Sequence, residues 1–237
     1  MASLDEVIFA VDTKDAKLCL EIFKKTETPI NVELPNKYTT LTYALFKANA
    51  KLAMMLLCDV GADADTFDGH GKNPLYYAVR YNFDEIITKL LELGADPSAA
   101  VNADGWSAFH VACHAGKTKA VEIMLLENGS KFVNTPSVGG HTPLHLAAAG
   151  GFEATVRVLL GSGAVADAKD AQRRQTPLHL AAQKGHTACC VALLENDARL
   201  HEPDITAQRK TPLELARDYQ HFATAAAMLK AYNHDAE

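Results

Sequence analysis

Thr142-Pro143-Leu144-His145-Leu146-Ala147-Ala148 recurs as Thr176-Pro177-Leu178-His179-Leu180-Ala181-Ala182, and again, degraded, as Thr211-Pro212-Leu213-Glu214-Leu215-Ala216. The steps from 142 to 176 to 211 are 34 and 35 residues. Stepping backward reaches Ser107-Ala108-Phe109-His110-Val111-Ala112, then Asn73-Pro74-Leu75-Tyr76-Tyr77-Ala78, then Thr39-Thr40-Leu41-Thr42-Tyr43-Ala44, and finally Ala10 in Asp5-Glu6-Val7-Ile8-Phe9-Ala10. Self-similarity at a fixed period marks a repeat architecture. Seven copies fill the 237 residues, with expected boundaries 1–36, 37–70, 71–104, 105–139, 140–173, 174–208 and 209–237, read as one domain.

Each copy has a physical reading. The Thr hydroxyl can accept an orphan backbone N–H at a helix start. Pro at the first helical position gives up a donor that had no partner there. Leu and Ala then recur at helical spacing, and Gly116, Gly151 or Gly185 ends a short first helix in a left-handed conformation. A second apolar pattern follows, as in Ala154-Thr155-Val156-Arg157-Val158-Leu159-Leu160, and closes at Gly61-Ala62-Asp63, Gly94-Ala95-Asp96 or Gly163-Ala164. Phe67-Asp68-Gly69 and Asn102-Ala103-Asp104-Gly105 are turn signals between copies. Two helices this short cannot bury their apolar faces alone, so neighbours must stack. Asp12, Lys14, Asp15, Lys17, Lys24 and Lys25 give the first copy a polar side, and Asn233-His234-Asp235 follow the last.

TPLHLAA followed by a glycine, then LL and GA(D), resembles the ankyrin-repeat family over essentially the whole chain. The resemblance implies an all-α repeat solenoid, an ankyrin-repeat stack of helix-turn-helix units with projecting β-turn fingers and a concave side. It also implies a non-enzymatic scaffold that binds another protein. Size and layout are further similar to the member of that family that acts as an assembly chaperone for the proteasome regulatory particle.

Composition is compatible with this. Apolar residues make up 48% and charged residues 22% of the chain, as in ordinary globular proteins. The net charge of −6 disfavours a general phosphate-backbone binder, so no nucleic-acid partner is expected. No apolar run approaches the roughly 20 residues of a membrane span, and the acidic start MASLDEVIFAVDTKD does not read as a signal peptide. Five cysteines without a CxxC pair suggest free thiols in a reducing compartment, cytoplasmic with the nucleus open as a second place. A monomer is expected.

GWSAFHVACHAG, residues 105–116, holds two histidines, a cysteine and the chain's one tryptophan. A structural zinc site needs four ligands, and no second His/Cys pair completes this one. His110 shares its slot with His145 and His179, and the resemblance implies that this imidazole ties the helix start to neighbouring backbone. Cys113 shares a small packing slot with Ala148 and Ala182. Cys189-Cys190 lie on a second helix, where packing is expected; a redox- or metal-responsive adaptor using Cys113, His114 or this pair is the alternative. No catalytic motif stands out, and no cofactor or metal is expected.

Recognition should use the slots the stack leaves free. The residue before each cap gives Tyr38, Lys72, Trp106, His141, Gln175 and Lys210. Positions after the small pair of the first helix add Phe46, Arg80, Tyr81, His114 and Lys184. Aromatic and Arg side chains, enriched in binding hot spots, concentrate in copies two to four. Arg173, Arg174, Lys184, Arg209 and Lys210 form a basic excess suited to an acidic segment of a partner. Two irregularities leave finger register open by a residue. The second helix is one residue longer from Ala48 to Gly61 and from Gly116 to Gly129 than from Gly151 to Gly163, and the connection from Asp197 to Thr211 is two longer than that from Gly61 to Asn73.

Overall fold

A computed structural model describes residues 4–25, 29–205 and 208–234. Asp235 of the polar tail lies outside them. The chain divides into two compact bodies, Met1–Ala103 and Asp104–Glu237. Among the described residues regular structure is helical, apart from one isolated bridge between Glu33 and Thr39. The first body carries α1 (Leu4–Asp12), α2 (Ala16–Lys25), α3 (Thr40–Phe46), α4 (Ala50–Met55), α5 (Pro74–Arg80) and α6 (Asp84–Glu92). The second carries α7 (Ala108–His114), α8 (Thr118–Asn128), α9 (Pro143–Gly150), α10 (Glu153–Gly161), α11 (Pro177–Gln183), α12 (Thr187–Leu194), α13 (Pro212–Asp218) and α14 (Phe222–His234).

First helices pack on first helices, α3 against α1 and α5, and α9 against α7 and α11, with α13 on α11. Second helices form the other layer, α4 against α2 and α6, and the series α8, α10, α12, α14. The seam is made of the small and branched residues that the period repeats: Ala44, Leu75, Ala78, Ala112, Leu144, Ala147, Ala148, Leu178 and Ala181 are essentially inaccessible to water. Close approach between layers needs those small side chains, because a larger one would hold adjacent helices apart.

The cap slot works in both directions. Thr142 N donates to Nδ1 of His145 at 3.2 Å, as Ser107 N does to His110 at 3.2 Å and Thr176 N to His179 at 3.1 Å. A backbone amide can only donate, so each Nδ1 is an acceptor and each neutral ring carries its proton on Nε2. His145 then donates from Nε2 to the Gln175 carbonyl at 3.0 Å, and His110 to that of Thr135 at 2.9 Å. These rings fasten a helix start to the chain leading into the next repeat. Nε2 of His179 is buried with no hydrogen-bond partner among the described residues.

Fingers are closed by backbone pairs: Asp68 to Lys72, Ser137 to His141, Asp170 to Gln175 and Asp204 to Lys210. The spans lengthen from four residues to five and then six, so the two extra residues between Asp197 and Thr211 lie in the last of these fingers; Thr206 and Ala207 are outside the described residues. Just before the slot that precedes each cap, the chain turns left-handed, at Lys37, Gly71, Gly105, Gly140, Arg174 and Arg209. Neighbouring fingers are joined by single amides: Gly69 N to the Lys37 carbonyl in the first body, and Val138 N to Asp104, Ala171 N to Gly139 and Ile205 N to Arg173 in the second. A Cβ on Gly140 would sit 2.4 Å from Ala171 N, so that left-handed position admits glycine alone.

The longer second helices resolve differently. In the second repeat the added residue becomes a π-helical stretch, Leu56–Val60, before the left-handed Gly61. In the fourth it extends α8 through Asn128 to Gly129. A π-turn absorbs one residue without moving the apolar face ahead of it.

Candidate protein-binding faces

In the first body an aromatic surface is assembled from copies two and three. Tyr38 stacks on Phe46 with ring centroids 4.9 Å apart and lies 5.4 Å from Tyr43 and 4.6 Å from His70. Tyr77 approaches Phe46 edge-on at 6.3 Å. Offset and edge-to-face rings stabilise one another while leaving their outer edges for a ligand. Phe46 remains 40% exposed, although it ends a helix whose preceding residues are buried.

Polar tips hold this surface in place. Tyr43 donates its hydroxyl to Asp12 Oδ1 at 2.7 Å, and Lys47 Nζ reaches the same oxygen at 2.7 Å. The Lys47 and Tyr43 hydrogen bonds hold the Asp12 carboxyl below its usual range. Tyr77 donates to Asp68 Oδ2 at 2.9 Å, and burial first, then that carboxylate, pushes its phenol upward. Arg80 is exposed, its Nη1 3.1 Å from the Tyr76 hydroxyl, and half-buried Tyr81 lies 6.1 Å from Phe83. Lys72 is half-buried; its Nζ bonds the Val101 carbonyl and sits 5.1 Å from the Tyr76 ring. Tyr38, Phe46, Arg80 and Tyr81 therefore share this body with Lys72, whose charge is directed at backbone.

In the second body Trp106 is half-buried with its ring 4.8 Å from exposed His114. His141 is half-buried and meets the His145 ring edge-on at 5.8 Å. Arg173 and Lys184 are exposed, while Lys210 is half-buried and paired with Asp218 at 2.9 Å. Gln175 departs from the expected exposed slot: it is 4% exposed and its amide donates to Asp204 Oδ2 at 3.2 Å. Asp204, itself buried in the next finger, is the carboxylate that takes it in. Together with Gln183 and Tyr219, whose hydroxyl accepts from Gln183 Nε2 at 2.8 Å, Arg173 and Lys210 line a recess of about 530 Å³.

Three partners were missed in the sequence: His70, Asp12 and Tyr77. A signal existed for Tyr77, since it and Tyr43 occupy the slot that is leucine at 146, 180 and 215. Aromatics at that slot in two successive copies mark a change of surface.

The thiols singled out in the sequence are sequestered. Cys113, Cys189 and Cys190 are buried, and burial pushes Cys189 up to about 11 and Cys190 to about 12. A thiol kept protonated is a poor nucleophile. Cys58 is exposed. Among the described residues no group of three or more His, Cys, Asp or Glu is placed to hold a metal ion, and no helix is long and apolar enough to cross a membrane.

The family model for ankyrin repeats matches in three copies, over residues 7–100, 98–170 and 165–237. The Gallus gallus nuclear factor NF-kappa-B p105 subunit is 29% identical over 65% of this chain and 16% of its own length. The Drosophila melanogaster transient receptor potential channel pyrexia is 32% identical over 60% of this chain and 16% of its own. The Sus scrofa NF-kappa-B inhibitor alpha is 32% identical over 42% of this chain and 32% of that protein. The chain thus matches about a sixth to a third of these relatives. The crystal structure of the human ASB11 ankyrin repeat domain superposes with a TM-score of 0.76 at 25% identity, covering 95% of this chain and 96% of that one.

Proposed function

We infer a docking function from membership: the chain belongs to the ankyrin-repeat family, a general protein–protein interaction module with no catalytic family indicated by the match. The finer proposal is that it is a non-enzymatic scaffold or adaptor that holds a protein partner on its exposed first-helix and finger side. The observation that carries this is the Tyr38–Phe46 pair, an apolar stacked surface left open to water at the end of a buried helix. Folding alone gives no reason to display it, whereas aromatic anchors flanked by Arg80 and Lys47 suit an interface centre. A monomer in the cytoplasm, with all seven repeats as one domain, belongs to the same proposal. So does the narrower assembly-chaperone role, supported by layout alone and tested by copurification with regulatory-particle ATPases.

Affinity purification of the wild type beside a Tyr38→Ala, Phe46→Ala double variant tests the proposal. A partner retained by the first and lost by the second, with helix content unchanged, supports it. Equal retention by both removes the aromatic face from the reading.

A further inference from the structure

Arg174 and Arg209 occupy the left-handed turn positions of adjacent fingers, at φ 53° and 48°, where three other fingers of the chain place Gly71, Gly105 and Gly140. A residue with a Cβ is strained there and glycine is not. Strain kept at an exposed position points to a use for the side chain. The two fingers are physically joined, since Ile205 N donates to the Arg173 carbonyl at 2.9 Å. Arg173, Arg174, Lys184 and Arg209 are exposed, and none has a carboxylate partner among the described residues.

Two of the carboxylates nearby, Asp170 and Asp204, are turned inward, while Asp218 and Glu214 are exposed beside Lys210. Asp170 accepts the amides of Gln172 and Arg173 at 2.9 and 2.7 Å, and Asp204 accepts that of Lys210 at 3.1 Å and the Gln175 side chain at 3.2 Å. Asp170 is 4% and Asp204 2% exposed, so both brace the fingers from beneath and leave the cations as the outer layer. The recess of about 530 Å³ beside them is lined by Arg173, Lys210, Gln183 and Tyr219 together with Asp204 and Asp218, the last of which is paired with Lys210. Four cations of these fingers, Arg173, Arg174, Arg209 and Lys210, stand against Asp170, Asp204, Glu214 and Asp218 in a chain whose net charge is −6.

We propose that the joined finger tips Arg173–Arg174 and Arg209–Lys210, beside the recess that Arg173 and Lys210 line, form a second docking surface that takes an acidic, Asp/Glu-rich segment of a protein partner. Guanidinium groups pair bidentately with carboxylates, and a segment laid across two fingers engages both arginines at once. A flexible peptide fits a ridge with a recess beside it better than a regular helical polyanion does, so the nucleic-acid reading is an outcome of the test rather than the proposal. The inference rests on the docking function proposed above and adds the partner chemistry of one surface.

Fluorescence anisotropy decides it, using a labelled octapeptide of Glu and Asp, its Gln/Asn counterpart, heparin and duplex DNA, against wild type, Arg174→Gly/Arg209→Gly and Phe46→Ala. The glycine variant relieves the strain, so it is expected to melt no lower than wild type while binding the acidic peptide roughly tenfold or more weakly. The acidic peptide alone binding wild type, with weakening in added salt and no effect of Phe46→Ala, supports the proposal. No binding, binding untouched by the two glycines, or heparin and DNA binding as tightly as the peptide overturns it. Any of these with the Tyr38/Phe46-dependent partner still captured overturns the ridge alone; loss of that capture instead strikes the docking function.

Discussion

Acidification should destabilise the second body through His145. The ring is inaccessible to water, takes the Thr142 amide on Nδ1 and gives its Nε2 proton to Gln175. Protonation would put a second N–H against the Thr142 N–H, and burial already opposes the charge, so the ring's pKa is lowered from 6.5 to about 4. A lowered histidine pKa means the unfolded chain binds the proton first, so stability is complete above pH 6.5 and lost as pH falls toward 4. A shift of about 2.5 units is worth about 3 kcal/mol, of which about 2 kcal/mol is gone by pH 5. His110 and His179 shift the same way, also through burial, and add to the loss. The variant that isolates the effect is His145→Gln, which keeps an acceptor for Thr142 but cannot titrate. The chain already uses such a group, since Glu214 Oε2 accepts from Thr211 N at 2.8 Å. Urea titrations from pH 7.5 to 5, followed by circular dichroism and Trp106 fluorescence, should show the variant about 1 kcal/mol weaker at pH 7.5 but losing about 2 kcal/mol less than wild type by pH 5. Parallel pH profiles for the two proteins would refute the neutral, doubly bonded ring.

Other perturbations test separate parts of the account. Leu144→Ala, a truncation at a fully buried seam position, should cost about 2–5 kcal/mol in chemical denaturation. Gly140→Ala should cost more than the about 1 kcal/mol expected of Gly71→Ala, because only the former meets backbone, while Gly71 has nothing within 4 Å. Trp106→Ala should weaken partner binding by about 2 kcal/mol or more without unfolding the chain, measured by titration calorimetry once the partner is in hand. In native thiol titration Cys58 should react quickly and the four buried cysteines slowly; a fast second equivalent would revive a redox role.

The period made helices, caps and the histidine slots legible, because each rests on local chemistry that repeats: a capping hydroxyl, a proline, a ring three residues on. The same logic assigns His110 to the cap, where its Nδ1 takes the Ser107 amide, and Cys113 to the buried seam. What stayed hidden depends on where an inserted residue goes. One extra position became a π-turn at Leu56–Val60, another lengthened α8, and two more entered the finger at Asp204–Lys210. Slot counting could not foresee that Gln175 would be buried with its amide on Asp204 of the next finger. Nor could it see the anchoring of Tyr43 by Asp12, since that contact joins side chains 31 residues apart. Of the slots read from the period, Phe46, Arg80 and His114 are exposed and Trp106 is half-buried against the His114 ring.

The most direct measurement places a photo-crosslinking phenylalanine at position 46, and in a second protein at Leu93, which is 47% exposed at the end of α6 in the second-helix layer. Irradiation followed by mass spectrometry should trap one protein partner from position 46 and not from position 93. A partner trapped only from position 93, or no protein adduct at position 46 while the fold is intact, would contradict the claim that this chain works by presenting its first-helix aromatic face to another protein.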